Sequence, residues 1–79
     1  MSRIFVVKDR AIEAYGRPFF VESLAAAERS FSDEVNNPES VVAHHPEDYE
    51  LFCIGSYDEF KCVIESYEPL LVCRALDLR

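Results

Sequence analysis

His44-His45-Pro46-Glu47-Asp48-Tyr49-Glu50-Leu51-Phe52-Cys53-Ile54-Gly55-Ser56-Tyr57-Asp58 is the stretch that decides the fold. A polar segment broken by Pro46 runs directly into an apolar one, and turn-forming residues follow. Residues 49–56 read as a strand. Phe52 and Ile54 point one way and Leu51 and Cys53 the other, so the strand belongs in the middle of a sheet. Tyr57-Asp58-Glu59-Phe60 reads as a turn, and residues 61–66 as the returning strand of a hairpin. There Cys62 and Ile64 face one side and Lys61 and Glu65 the other, which suits a sheet edge.

Outward from this hairpin, residues 3–8 form an almost continuous apolar run with the pattern of a second central strand. Asp9, Gly16 and Pro18 make residues 9–18 a loop, and Phe19-Phe20-Val21 a short strand. Ser23 suits a helix N-cap, because its hydroxyl can accept from a first-turn amide. Over residues 24–36, Leu24, Ala27, Phe31 and Val35 fall on one face at helical spacing. Arg29 and Asp33 stand four apart on the other side, placed to pair. Asn36-Asn37-Pro38 stops the helix, and Ser40-Val41-Val42-Ala43 allows one more turn. Glu68-Pro69 reads as a turn. Residues 70–78 alternate like a strand, although Leu71, Ala75 and Leu78 also fit a helix. The expected fold is α+β: a small antiparallel or mixed β-sheet of three to five strands with one main helix packed on one face, in a single domain over residues 1–79.

No apolar run approaches the roughly 20 residues needed to cross a bilayer, and Lys8 and Asp9 end the first apolar run too early for a signal peptide. Cys53, Cys62 and Cys73 are odd in number and sit in apolar surroundings, which fits buried, reduced structural thiols rather than a disulfide framework or a zinc site. Four Tyr and six Phe in 79 residues are many, and suggest a homodimer. The net charge of −7 opposes generic nucleic-acid binding. That charge is uneven: residues 1–29 carry five cations against four acids, and residues 30–79 carry three against eleven.

Enzyme chemistry finds little support. His44, His45, Glu47 and Asp48 are the only metal-like group, but no further ligand follows at a recognisable spacing, so a solvated loop and no metal are expected. Cys53 with a nearby histidine could be written as nucleophile and base, yet it lies mid-strand among apolar residues that disfavour a thiolate. No glycine-rich phosphate loop is present. The segment 8–20 is different. It interleaves Lys8, Arg10 and Arg17 with Tyr15, Phe19 and Phe20, and cations among stackable rings suit a single strand of nucleic acid.

A resemblance runs through most of the chain. It is carried by the N-terminal strand ending in Asp9, by Glu13-Ala14-Tyr15 with Pro18-Phe19-Phe20, and by the helix through Phe31 and Val35-Asn36-Asn37-Pro38-Glu39-Ser40. His45-Pro46-Glu47-Asp48-Tyr49 with Leu51, and Ile54-Gly55 with Tyr57-Asp58, complete it. On these residues the chain resembles the small nonstructural protein of gokushoviruses, microvirus phages with single-stranded DNA genomes. It departs from that pattern in the short turn after Asp58 and in Arg17 before Pro18. The resemblance implies a non-enzymatic protein of phage genome replication, acting in the host cytoplasm and absent from the mature virion, with no cofactor. Two readings follow. In the first, single-stranded DNA binds at Lys8, Arg10, Tyr15 and Arg17, where Arg10 and Arg17 meet phosphates and Tyr15 stacks on a base. In the second, an acidic surface including Glu39, Glu47, Asp48 and Glu50 docks on the replication initiator or a host replication protein without touching DNA.

Overall fold

The computed structural model describes all of residues 1–79. Its centre is an antiparallel pair. Strand β1 (Ser2–Asp9) lies against the strand formed by Tyr49–Asp58, so that Phe5 opposes Cys53 and Val7 opposes Leu51. Between them in the chain come β2 (Ala14–Tyr15), β3 (Phe19–Val21), α1 (Leu24–Val35), α2 (Val41–His44) and a single 3-10 turn over Pro46–Asp48. The Tyr49–Asp58 strand is therefore the fourth, β4, and β5 (Val63–Arg74) returns along it. The sheet order is β2-β1-β4-β5, with β3 also pairing with β1, and every pairing is antiparallel. The expected α+β layout, with one main helix on one face, is what the chain adopts.

Both caps on α1 follow from the sequence. The Ser23 hydroxyl accepts from the Ala26 amide at 3.1 Å, and Asn36 ends the helix. The Asn36 side-chain amide also donates to the Leu78 carbonyl at 3.2 Å, tying the helix end to the C-terminus. Ala27, Phe31 and Val35 are buried against Phe5, Leu51, Cys53, Val42 and Ala75. Leu24 stays 39 % exposed, and Arg29 and Asp33 form no ion pair.

Four expectations need correction. The loop over 9–18 contains β2, because the Gly16 amide donates to the Val7 carbonyl at 2.8 Å and folds two residues back on β1. The hairpin turn falls later than expected: β4 runs through Asp58, and Cys62 sits in the turn with a φ of 55° rather than in a strand. Glu68-Pro69 is no turn. The pairing slips from Cys53↔Leu70 to Gly55↔Ser66, so Tyr67, Glu68 and Pro69 swell into a bulge within β5. Proline is tolerated there because β5 is an edge strand, whose amide need not join a ladder. Finally, the last segment is strand only to Arg74, and Ala75–Asp77 turn as a 3-10 helix that buries Ala75.

Gly55 fixes how closely β5 can approach. A Cβ there would run into the Glu65 carbonyl oxygen, so any side chain would force the two strands apart. The molecule is elongated, about 40 × 23 × 18 Å, because the sheet extends beyond the helix.

Candidate nucleic-acid interface

Strand alternation sends Phe5, Val7, Leu51 and Cys53 towards α1 and sends Val6, Lys8, Glu50 and Phe52 to the opposite, outer face. No helix covers that outer face. It is nevertheless apolar, and its rings pack on each other. Tyr15, placed by β2 beside Lys8, meets Phe52 edge-on with centroids 5.7 Å apart. Phe20, placed by β3 beside Ile4, meets Tyr57 edge-on at the same 5.7 Å. Beneath these rings Ile4 and Val6 are buried although nothing lies over them but side chains. Tyr15 is 48 % exposed and Phe20 53 %, so each offers part of a ring to solvent. Leu71, opposite Phe52, and Ile64, opposite Tyr57, extend the surface onto β5. An open antiparallel sheet with exposed rings is the kind of platform on which unpaired bases can stack.

The four residues of the basic segment are placed differently from one another. The Lys8 ammonium lies 5.4 Å from the Tyr15 ring centroid, within cation–π range, and 3.2 Å from a Glu13 carboxylate oxygen. Lys8 is therefore a partly neutralised neighbour of Tyr15 rather than a free cation. Arg10 and Arg17 are exposed and form no ion pair. The Arg10 amide donates to the Asp48 carbonyl at 2.7 Å, and Asp9 accepts from the Ala11 amide at 3.0 Å. The β1–β2 turn that carries Arg10 is thus anchored at both its base and its start. Glu13 completes it in the left-handed region, with a φ of 53°.

Sequence reasoning found Tyr15, Phe20 and the arginines but not Phe52 and Tyr57, and it counted Phe19, which turns inward to stack on Phe5 with centroids 6.0 Å apart. The available signal was the two-residue alternation within β4, which puts Phe52 on the side opposite Leu51 and Cys53.

Among the acidic residues Glu50 stands apart from the rest. Glu50 projects from the outer face, is 8 % exposed and is bonded to the Arg74 guanidinium at 3.3 Å, so it belongs to the sheet rather than to a docking patch. Glu39 and Glu47 are exposed and Asp48 is half-buried. One ligand atom from each of His45, Glu47 and Asp48 lies within 4.8 Å of the others, all on one tight turn at the surface. His44 takes no part, because its Nε2 is 2.8 Å from the Pro38 carbonyl. No hydrogen bond from elsewhere in the chain holds the three side chains, unlike a built metal centre.

The thiols split three ways. Cys53 is buried with its Sγ 3.2 Å from the Tyr67 hydroxyl, Cys73 is half-buried, and Cys62 is exposed, against the expectation that all three are inside. Burial, reinforced by Glu28 and Asp77, pushes the Cys73 thiol up to about 11. Tyr49 is raised by burial and by Asp9, whose carboxylate accepts from its hydroxyl at 3.4 Å.

No curated protein and no solved structure is significantly similar to this chain. One family matches it over residues 2–78, which includes every strand, both helices and the basic segment, and is described as Phage ORF5 protein. The chain therefore belongs to the Phage ORF5 protein family.

Proposed function

We propose that this phage protein is a non-enzymatic accessory factor of genome replication, of gokushovirus type, that binds single-stranded DNA on the outer face of its sheet. The observation that carries the reading is the open row of rings with cations beside it. Tyr15 stacks on a base next to Phe52, and Arg10 and Arg17, the unpaired cations of that end, contact the flanking phosphates. Lys8 holds the Tyr15 ring and adds local positive potential. Such a protein acts in the host cytoplasm during synthesis of single-stranded genomes and is not packaged. The overall charge of −7 makes binding local, since phosphate can approach only where the cations cluster.

Anisotropy of labelled single- and double-stranded DNA at low and physiological salt tests this. Single strands are expected to bind more tightly and with marked salt dependence. Each phosphate contact contributes about 0.7 to the slope of log affinity against log salt. Replacing Arg10 and Arg17 together flattens that slope by roughly 1.4 if each meets one phosphate. An unchanged slope refutes the two arginines as contacts.

The second reading, an acidic module for the replication initiator or a host replication protein, is favoured by the exposure of Glu39 and Glu47 beside Asp48. Glu50 is not available to it. Neutralising Glu39, Glu47 and Asp48 while DNA binding is absent in the parent protein separates the two readings.

A further inference from the structure

The hairpin turn at 59–62 carries the most exposed large apolar side chain in the molecule, Phe60, at 91 %. It is held out rather than left loose. The Asp58 carboxylate accepts from the Phe60 amide at 3.0 Å and from the Lys61 amide at 3.3 Å, and the Met1 ammonium bonds to Glu59 at 2.9 Å. A pre-ordered aromatic tip loses little freedom when it is buried. Lys61, next to it, is the only cation between residues 30 and 73.

On the helix side of the sheet, away from this turn, is a recess of suitable size. Val7, Phe19 and Phe31 floor a surface notch of about 240 Å³ between β1, β3 and α1, with Ser30 and Glu34 on its rim. A phenyl ring fits, since an apolar cavity of about 150 Å³ accepts benzene. Glu34 is exposed and forms no ion pair. The notch thus presents an apolar floor with one carboxylate, and the tip presents one ring with one ammonium.

We propose that this notch receives the Phe60 tip of a second copy of the chain, with Lys61 paired to Glu34, in a two-fold dimer. The occupant is a second copy because both complementary pieces belong to the same chain. A two-fold axis uses each piece twice and closes the assembly without leaving a free tip. Two copies that each carry −7 repel at long range, so association needs opposite charges placed face to face, and Lys61 with Glu34 supplies them. The elongated shape assists. The helix covers one half of the sheet and leaves the other half a single layer, so antiparallel neighbours can set the thick half of one beside the thin half of the other. The outer faces stay open in this dimer, and the proposal does not rest on DNA binding.

Sedimentation of the full chain over micromolar concentrations, with DNA absent, tests the dimer. The expected species has twice the 9.1 kDa monomer mass. Phe60→Ala is expected to weaken association roughly tenfold or more, as loss of a central aromatic anchor does. Its circular dichroism is expected to be unchanged, because the ring touches nothing in the monomer core. Lys61→Glu and Glu34→Lys each weaken association, and the two together restore it. Zero-length carbodiimide coupling in a mixture of isotope-labelled and unlabelled chains yields an intermolecular Lys61–Glu34 cross-link. A monomer throughout overturns the proposal, as does a dimer indifferent to Phe60→Ala. A dimer that Phe60→Ala weakens but the double charge exchange does not restore overturns the pairing of tip with notch.

Discussion

The two faces of the sheet are made from the same strands and the same kinds of residue, yet one is a core and the other is a surface. On the inner face Phe5, Leu51 and Cys53 are almost completely inaccessible beneath α1. On the outer face Phe52, Tyr15, Phe20 and Tyr57 are shielded only by one another, and Phe20 and Tyr15 remain about half exposed. The difference teaches that apolar composition on both sides of a strand does not require cover on both sides. Rings large enough to lean edge-on across a strand pair can bury the smaller residues between them, here Ile4 and Val6. They keep their own outer edges free.

The contrast can be broken by mutation. The largest loss is expected on the inner side: Phe31→Ala or Leu51→Ala should lower stability by about 3–5 kcal/mol, because each removes a large side chain packed in the buried cluster. Phe20→Ala on the outer side should cost well under that, about 1 kcal/mol, as the lost contact is one edge-on pair and half of the ring was already wet. Chemical denaturation of the three variants checks both. Equal losses on the two faces would mean that the outer rings are core after all.

Gly55→Ala comes next, at about 1–3 kcal/mol, since its new methyl group meets the Glu65 backbone and β5 must give way. Amide exchange should quicken in β5 and stay slow in β1. Loss of protection in both would mean that β5 is integral to the core rather than an edge laid upon it. Ser23→Ala should lower stability by about 1 kcal/mol through the lost cap.

The smallest effects concern the thiols. Cys62 should alkylate first, and Cys53 and Cys73 only on unfolding, as mass spectrometry at neutral pH can establish. Cys73 also predicts a direction with pH. Its folded pKa is about 11, above the roughly 8.5 of an unfolded thiol. The unfolded chain therefore releases this proton first. The contribution of Cys73 to stability is intact below about pH 8.5 and declines as the pH climbs towards 11. Cys73→Ala should show a smaller alkaline loss between those limits than the parent chain does.

What the sequence disclosed and what it hid follow the same line. The helix was legible because Ser23 caps it and Ala27, Phe31 and Val35 repeat at helical spacing. The strand β4 was legible because Pro46 and Tyr57-Asp58 bracket an apolar run. Three features were hidden by non-local causes. The twelve residues of β5 read as two pieces, because Pro69 signals a turn unless an edge position and a bulge are already known. The strand β2 is only two residues long and exists through its partner Lys8. The pairing of Glu50 with Arg74 depends on a register that crosses a bulge, so a residue that reads as a free acid is a half of the sheet's own ion pair. For the candidate site, Arg10, Tyr15 and Arg17 could be picked out as cations and a ring in one loop. The neighbouring rings, Phe20, Phe52 and Tyr57, come from two other strands, β3 and β4, and no local spacing connects them to the loop.

On the proposed function, single-stranded DNA meets the outer face of the sheet and leaves the inner face untouched. Side-chain methyl and ring NMR signals, followed during titration with a short single-stranded oligonucleotide, test it most directly. Shifts are expected at Tyr15, Phe52, Phe20 and Leu71, with Phe31, Val35 and Leu51 unmoved. Shifts centred on the helix side, or none at any ratio of oligonucleotide to protein, would contradict it.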